Sequence, residues 1–162
     1  MENKITKSIA LASTDAPYRR NYSWDIQLGR DVYLLDLTTG TKELIEKNAS
    51  GSARLSPEGN YAYWYDARDS SWVAYDLKAK AKINLTQGLP VPIYDELNDS
   101  PSLPSSYGVE GWFAGDEALL VNDRFDIWKI DPRNPSAAQN ITSGEGRKQQ
   151  ITFGSCGHED HK

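Results

Sequence analysis

The side chains best suited to chemistry in this 162-residue chain stand together at its end: Cys156, His158, Glu159, Asp160 and His161. A Cys-x-His-x-x-His run offers a thiolate and two imidazoles, a donor set that can chelate a transition metal. Structural metal sites usually draw their ligands from two separate elements, whereas these five residues share one short polar stretch. The expectation is therefore an exposed tail over residues 154–162, disordered or not native to the protein, with no bound metal. Because both histidines lie there, the rest of the chain holds no imidazole to act as a general base. There is no Gly-x-Ser-x-Gly elbow either, so nucleophilic hydrolase chemistry has no carrier. Composition leaves room for a glycosidase-type carboxylate pair, but no two acids stand at a recognisable spacing. The sequence assigns no catalytic residue and no cofactor.

Two other groups of acids recur in a pattern. Asp36, Asp76 and Asp131 each end an apolar run and precede a turn. Aspartate at that place caps the turn through its own carboxylate, so a structural role is expected of all three. Residues 87–107 form a Pro-, Ser-, Asp- and Asn-rich stretch carrying Tyr94, Asp95, Glu96 and Asp99. Long loops on a rigid scaffold often carry binding, which makes these four the candidate rim-loop binding residues; the competing reading is a loop that only covers a rim.

The elements that position these groups are strands. Residues 52–86 read as four short strands in succession. Residues 52–56 run into Pro57-Glu58-Gly59-Asn60, where proline presets the first turn angle and Gly59 or Asn60 can take a positive φ. Tyr61-Ala62-Tyr63-Trp64-Tyr65 follows, apolar on both faces, as befits a strand held between two layers. Residues 72–77 and 82–86 complete the set. The apolar clusters are too short, and lack the i, i+3, i+4 stripe, for helix. The same order appears at residues 31–46, as strand, turn and strand, and again across residues 108–142. Residues 5–12 and 22–26 are weaker strand candidates, and residues 145–153 resemble the first strand of a further unit.

Repeat spacing sets the architecture. Asp36 and Asp76 are 40 residues apart and Asp76 and Asp131 are 55 apart. The first interval is close to the period of about 40–45 residues of a four-stranded propeller blade, and the second is that period lengthened by residues 87–107. The fold class expected is all-β: a partial β-propeller of about three four-stranded antiparallel blades, a segment of a larger propeller. The division is 1–50, an incomplete first blade; 51–86, a complete blade; 87–107, an inter-blade insertion; 108–142, a complete blade; 143–153, the start of another; and 154–162, the tail. Open blade faces would be flat and aromatic, so self-association through them is expected.

Composition narrows the partners. Five Trp and nine Tyr supply large buried areas and argue against disorder. Trp64, Trp72, Trp112 and Trp128 fall inside strands and are expected to fill space between blades. A net charge of −5 gives no basis for nucleic-acid binding. One cysteine permits no intrachain disulfide, no apolar run reaches the roughly 20 residues of a membrane span, and residues 9–12 are too short for a signal peptide. If the protein is exported, its targeting segment is expected outside this sequence.

Taken in order, DVYLLDLTTGTKELI, ARLSPEGNYAYWYD, GLPVPIYDELNDSP, YGVEGWFAGDEALLVNDRFDIWKIDP and NIT resemble the propeller of bacterial prolyl oligopeptidase-family serine peptidases, over roughly residues 9–153. The Ser-Pro-x-Gly-x-Tyr turn is shared with TolB-like propellers; the ordered set with the Pro-Ile-Tyr-Asp-Glu insertion is more specific. The resemblance implies a segment of a propeller that caps a separate α/β-hydrolase domain and gates peptide access to it. Its implied partners are the rest of that propeller, the hydrolase domain and peptide substrate, in the periplasm or outside the cell. None of that family's catalytic positions has a counterpart in this chain. The alternatives are a TolB-like protein-interaction propeller with no enzyme domain and, more weakly, a carbohydrate-active propeller.

Overall fold

The computed structural model describes residues 8–21 and 29–153. The strand expected at residues 22–26 and the tail with Cys156, His158 and His161 lie outside the described residues. Eleven strands are present among those described, in three antiparallel meanders. The first sheet holds β1 (Ile9–Thr14), β2 (Arg30–Asp36) and β3 (Lys42–Ala49). The second holds β4 (Arg54–Leu55), β5 (Tyr61–Asp66), β6 (Ser71–Asp76) and β7 (Ala81–Asn84). The third holds β8 (Val109–Trp112), β9 (Leu119–Asn122), β10 (Ile127–Ile130) and β11 (Gln139–Asn140). In each sheet the strands pair in chain order. These are three blades of a partial β-propeller, fewer than the four to eight that close a ring.

The blades stack face to face through β5. Its alternation sends Ala62 and Trp64 to one side and Tyr61 and Tyr63 to the other. Ala62 and Trp64 meet Val32, Ile45 and Ala49 of the first blade. Tyr61 and Tyr63 meet Leu119, Val121 and Ile130 of the third. Tyr61 stacks on Trp112 at 5.6 Å between ring centroids, and Tyr63 meets the same indole edge-on at 5.3 Å. Aromatic pairs of this kind add about 0.5–1.5 kcal/mol beyond the area they bury. Outside the cores, Lys80 pairs with Glu43 at 3.2 Å and Lys82 with Glu46 at 3.1 Å, lacing β7 and its turn to β3.

A buried carboxylate fastens the second blade to the third. Asp116 sits at φ 54° in the turn between β8 and β9, after Gly115 at φ 71°. Its Oδ2 accepts Ser56 Oγ–H at 2.6 Å and the Asn60 N–H at 3.1 Å, and its Oδ1 accepts the Glu58 N–H at 3.0 Å. Ser56 Oγ in turn accepts the Tyr61 N–H at 3.0 Å. The Ser-Pro-Glu-Gly turn is thus closed by a side chain about sixty positions further along the chain.

The strand expected over residues 145–153 is corrected by a helical turn, α1 (Glu145–Gln149). Glu, Arg, Lys and Gln favour helix, and Glu145 bonds Lys148 at 3.0 Å and Gln149 at 3.0 Å. The Gly146 N–H donates to Asp126 Oδ1 at 3.0 Å, and a Cβ at Gly146 would fall 2.3 Å from the Phe125 carbonyl oxygen. Only glycine allows that approach.

Two outcomes follow. Asp116→Ala strands three donors in a buried turn and should cost about 2–4 kcal/mol in urea unfolding, while Asp99→Ala, at an exposed site, should stay within about 0.5 kcal/mol. The outward faces of the first and third blades should promote self-association, visible as mass that rises with concentration in light scattering; a constant monomer mass would count against it.

Candidate functional site

In an antiparallel meander the turns alternate between two rims. The turn between β5 and β6, the turn between β9 and β10, and residues 87–107 all lie on one of them. The insertion follows Leu85 and Thr86, both buried. Thr86 Oγ1 accepts the Trp72 N–H at 3.1 Å, which anchors the exit from β7. The loop then folds back over the rim. Ile93 is buried in the core between the second and third blades. Tyr94 and Ser106 form a β-bridge, the Asp95 N–H donates to the Ser105 carbonyl at 2.8 Å, and the Tyr107 N–H to the Ile93 carbonyl at 3.1 Å.

Two aromatic residues of the second blade hold this loop. Tyr65 Oη donates to the Pro104 carbonyl at 3.1 Å, and Trp72 Nε1 donates to Ser106 Oγ at 2.7 Å. Trp72 therefore packs between blades, as expected of it, and also pins the insertion. Trp128 has a comparable second role on the neighbouring turn, with Nε1 donating to Asp123 Oδ2 at 2.8 Å.

The four rim-loop candidates do not form one acidic cluster. Tyr94 is half-buried in the bridge. Asp95 is also half-buried, and its Oδ1 accepts the Leu97 N–H at 3.1 Å, capping a turn. Glu96 and Asp99 are exposed. Among the described residues no group of three or more His, Cys, Asp or Glu could hold a metal ion. The recurring aspartates behave as turn caps. Asp36 accepts from Thr38 and Thr39, Asp76 from Lys78 and Ala79, and Asp131 from Arg133. The Arg133 guanidinium also grips both Asp131 oxygens at 3.0 Å.

Two residues join the candidates that sequence reasoning did not single out. Tyr107 closes the insertion, and burial pushes its hydroxyl pKa up; the charges of Asp95 and Glu96 add to this, while a Glu96 backbone bond and Arg124 oppose it. Arg124, in the turn after β9, stacks on Phe125 at 5.0 Å, and Arg147 of α1 stacks on the same ring at 5.3 Å. Arg124 and Phe125 thus form a basic, aromatic turn on the same rim as the insertion. A tyrosine at the end of a polar loop and an arginine in a turn carry no sequence signal that would have singled them out.

Below that turn lies a buried pair of acids. Asp123 takes the Phe125 and Asp126 N–H groups at 2.7 and 2.9 Å and meets Arg147 at 3.4 Å. Burial works against ionisation of Asp126, but donors from Thr142, Gly146, Arg147 and Asn140 outweigh it and hold its carboxyl below the usual range. On the opposite rim an open cleft of about 810 Å³ runs across all three blades, with Tyr61, Leu77, Lys78 and Arg133 among its walls. Its two carboxylates, Asp76 and Asp116, already cap a turn and fasten the blades.

No protein-family model matches the chain, and no curated protein matches it. Among solved structures it is similar to the crystal structure of TolB from Acinetobacter baumannii, at 19% identity with a TM-score of 0.43. The match covers 70% of this chain and 26% of that one, so the chain spans about a quarter of that protein's length.

Trp72→Phe removes the bond to Ser106 while keeping an aromatic ring. It should speed amide exchange across residues 93–107 and cost about 1 kcal/mol in stability. The depressed pKa of Asp126 fixes the sign of a pH effect. Its contribution is fully present above the unfolded value of about 4 and is lost as pH falls through the lower folded value. Asp126→Asn should be less stable at neutral pH and lose less stability on acidification, as read by thermal melts between about pH 7 and pH 2.

Proposed function

We propose that this chain is a non-catalytic propeller segment of a bacterial prolyl oligopeptidase-like serine peptidase, forming part of the cap that gates peptide access to a separate α/β-hydrolase domain. The observation that carries the reading is how the rim carboxylates are employed. Asp36, Asp76 and Asp131 close turns, Asp116 fastens neighbouring blades, and Asp66 accepts Ser50 Oγ–H at 3.0 Å together with the Arg68 N–H. Groups held in this way build a scaffold and are not free to shuttle protons or attack a carbonyl. The ordered motifs of the sequence supply the family, and the pinned insertion supplies a rigid rim of the kind a cap requires.

A cap of this type contributes by exclusion and positioning. Blades held by aromatic packing and buried bonds keep a fixed aperture, and a fixed aperture limits substrates by size. The serine, histidine and aspartate of the reaction belong to the adjoining domain.

Hydrolysis assays of the isolated chain on chromogenic peptides should read blank. Turnover abolished by a serine-directed inhibitor would overturn the proposal. The adjoining coding sequence is expected to supply about 200 or more further residues with a Gly-x-Ser-x-Gly elbow; its absence would leave an interaction propeller of the TolB-like kind.

A further inference from the structure

The first and third blades each keep one sheet face that no other described blade covers. On the first blade Leu11, Val32 and Leu34 turn toward the second. Alternation sends Ala10, Ala12, Tyr33 and Leu35 the other way, with Ala10 opposite Leu35 and Ala12 opposite Tyr33. Counted from the capping aspartates Asp36 and Asp76, these four stand where the second blade has Ala62, Trp64, Tyr75 and Val73, the residues it presents to the first. The lysine above them recurs too: Lys82 lies over Trp64 at 5.9 Å, and Lys42, opposite Leu35 as Lys82 is opposite Tyr75, lies over Tyr33 at 4.6 Å. What differs is cover. Ala62, Trp64 and Val73 are buried, whereas Ala10, Ala12 and Tyr33 are only half-buried.

The third blade has the reciprocal gap. Leu119, Val121 and Ile130 meet the second blade, so Leu120 and Ile127 point away from it. They stand where the second blade has Tyr63 and Trp72, which are buried against the third; Leu120 and Ile127 are half-buried. Phe113, 38% exposed, lies against Lys129 of the same face at 4.4 Å, and Ile141, 46% exposed, bonds Ile127 through its N–H at 3.0 Å. The two free faces are therefore the two halves of the blade-on-blade contact that the chain already builds twice.

A head-to-tail contact between copies makes a closed ring or an open filament, according to the rotation at each step. Propeller rings close with about four to eight blades, and six is the only multiple of three in that range. We propose that two copies of this chain close a six-bladed ring, the first blade of each seated on the third blade of the other. This goes beyond the proposed function and does not rest on it: a cap needs a closed ring, and a second copy closes it whether or not a hydrolase domain adjoins.

Sedimentation equilibrium of the 162-residue chain should give a mass that rises with concentration and levels off at two copies. Tyr33→Asp with Leu35→Asp spoils the first-blade face, and Ile127→Asp spoils the third-blade face; either should cut the dimer fraction about tenfold or more. Mixing the two variants leaves one intact contact per pair and should restore a dimer, which misfolded chains would not do. Crosslinking reads the geometry. Lys82 reaches Glu46 between the second and first blades at 3.1 Å, and the matching pair between copies is Lys42 of one and Ile141 of the other. With Cys156→Ser throughout, a bis-maleimide should join Lys42→Cys chains to Ile141→Cys chains and neither kind to itself. A chain carrying both cysteines should stop at a covalent dimer. A constant monomer mass, a ladder of higher oligomers, crosslinks between like chains, or variants that dimerise as before would each overturn the proposal.

Discussion

Burial of β5 on both faces is the constraint on which the rest of the structure depends. A strand with Ala62 and Trp64 on one side and Tyr61 and Tyr63 on the other has no face to give to water. Fully burying one large side chain is worth about 1.5–3 kcal/mol, so exposing either face would remove several such contributions from a fold whose net stability is only of that order times a few. Sheets must therefore lie on both sides. The first blade answers with Val32, Ile45 and Ala49, and the third with Leu119, Val121 and Ile130.

Polar chemistry then fixes how the layers sit. Apolar faces alone would tolerate sliding, but directional bonds between blades do not. Asp116 gathers three donors of the Ser56–Asn60 turn at one rim. At the other rim Ser50 Oγ bonds Asp66, and the Arg68 guanidinium bonds the Asn48 carbonyl and side chain. Each bond joins a turn of one blade to its neighbour, so the rims are rigid even though they are irregular. This rigidity gives the insertion a stable base, and it explains why so few rim acids remain available for other work.

The insertion shows how the same residue type can serve scaffold or surface according to depth. Tyr65 and Trp72 lie within strands yet extend a polar atom to the rim, where Pro104 and Ser106 meet them. Asp95 is turned inward as a cap, whereas Glu96 and Asp99 face solvent. Of the four residues that the loop's composition nominated, Glu96 and Asp99 are thus the exposed ones and Tyr94 and Asp95 are half-buried.

The sequence by itself determined the blades. Alternation, turn residues and the 40-residue interval are local properties, and local sterics and hydrogen bonding enforce them wherever the chain goes. The second blade, the turn at Pro57-Glu58-Gly59-Asn60 and the capping aspartates could all be read in this way. The helical turn at Glu145–Gln149 could not. Its cause is Asp126, twenty positions earlier, which captures the Gly146 N–H, together with a Phe125 carbonyl that admits no side chain there. The pairing of Asp116 with Ser56 and the hold of Trp72 on Ser106 belong to the same class. Each joins groups far apart in the chain, and their approach is decided only when β5 draws its neighbouring sheets together.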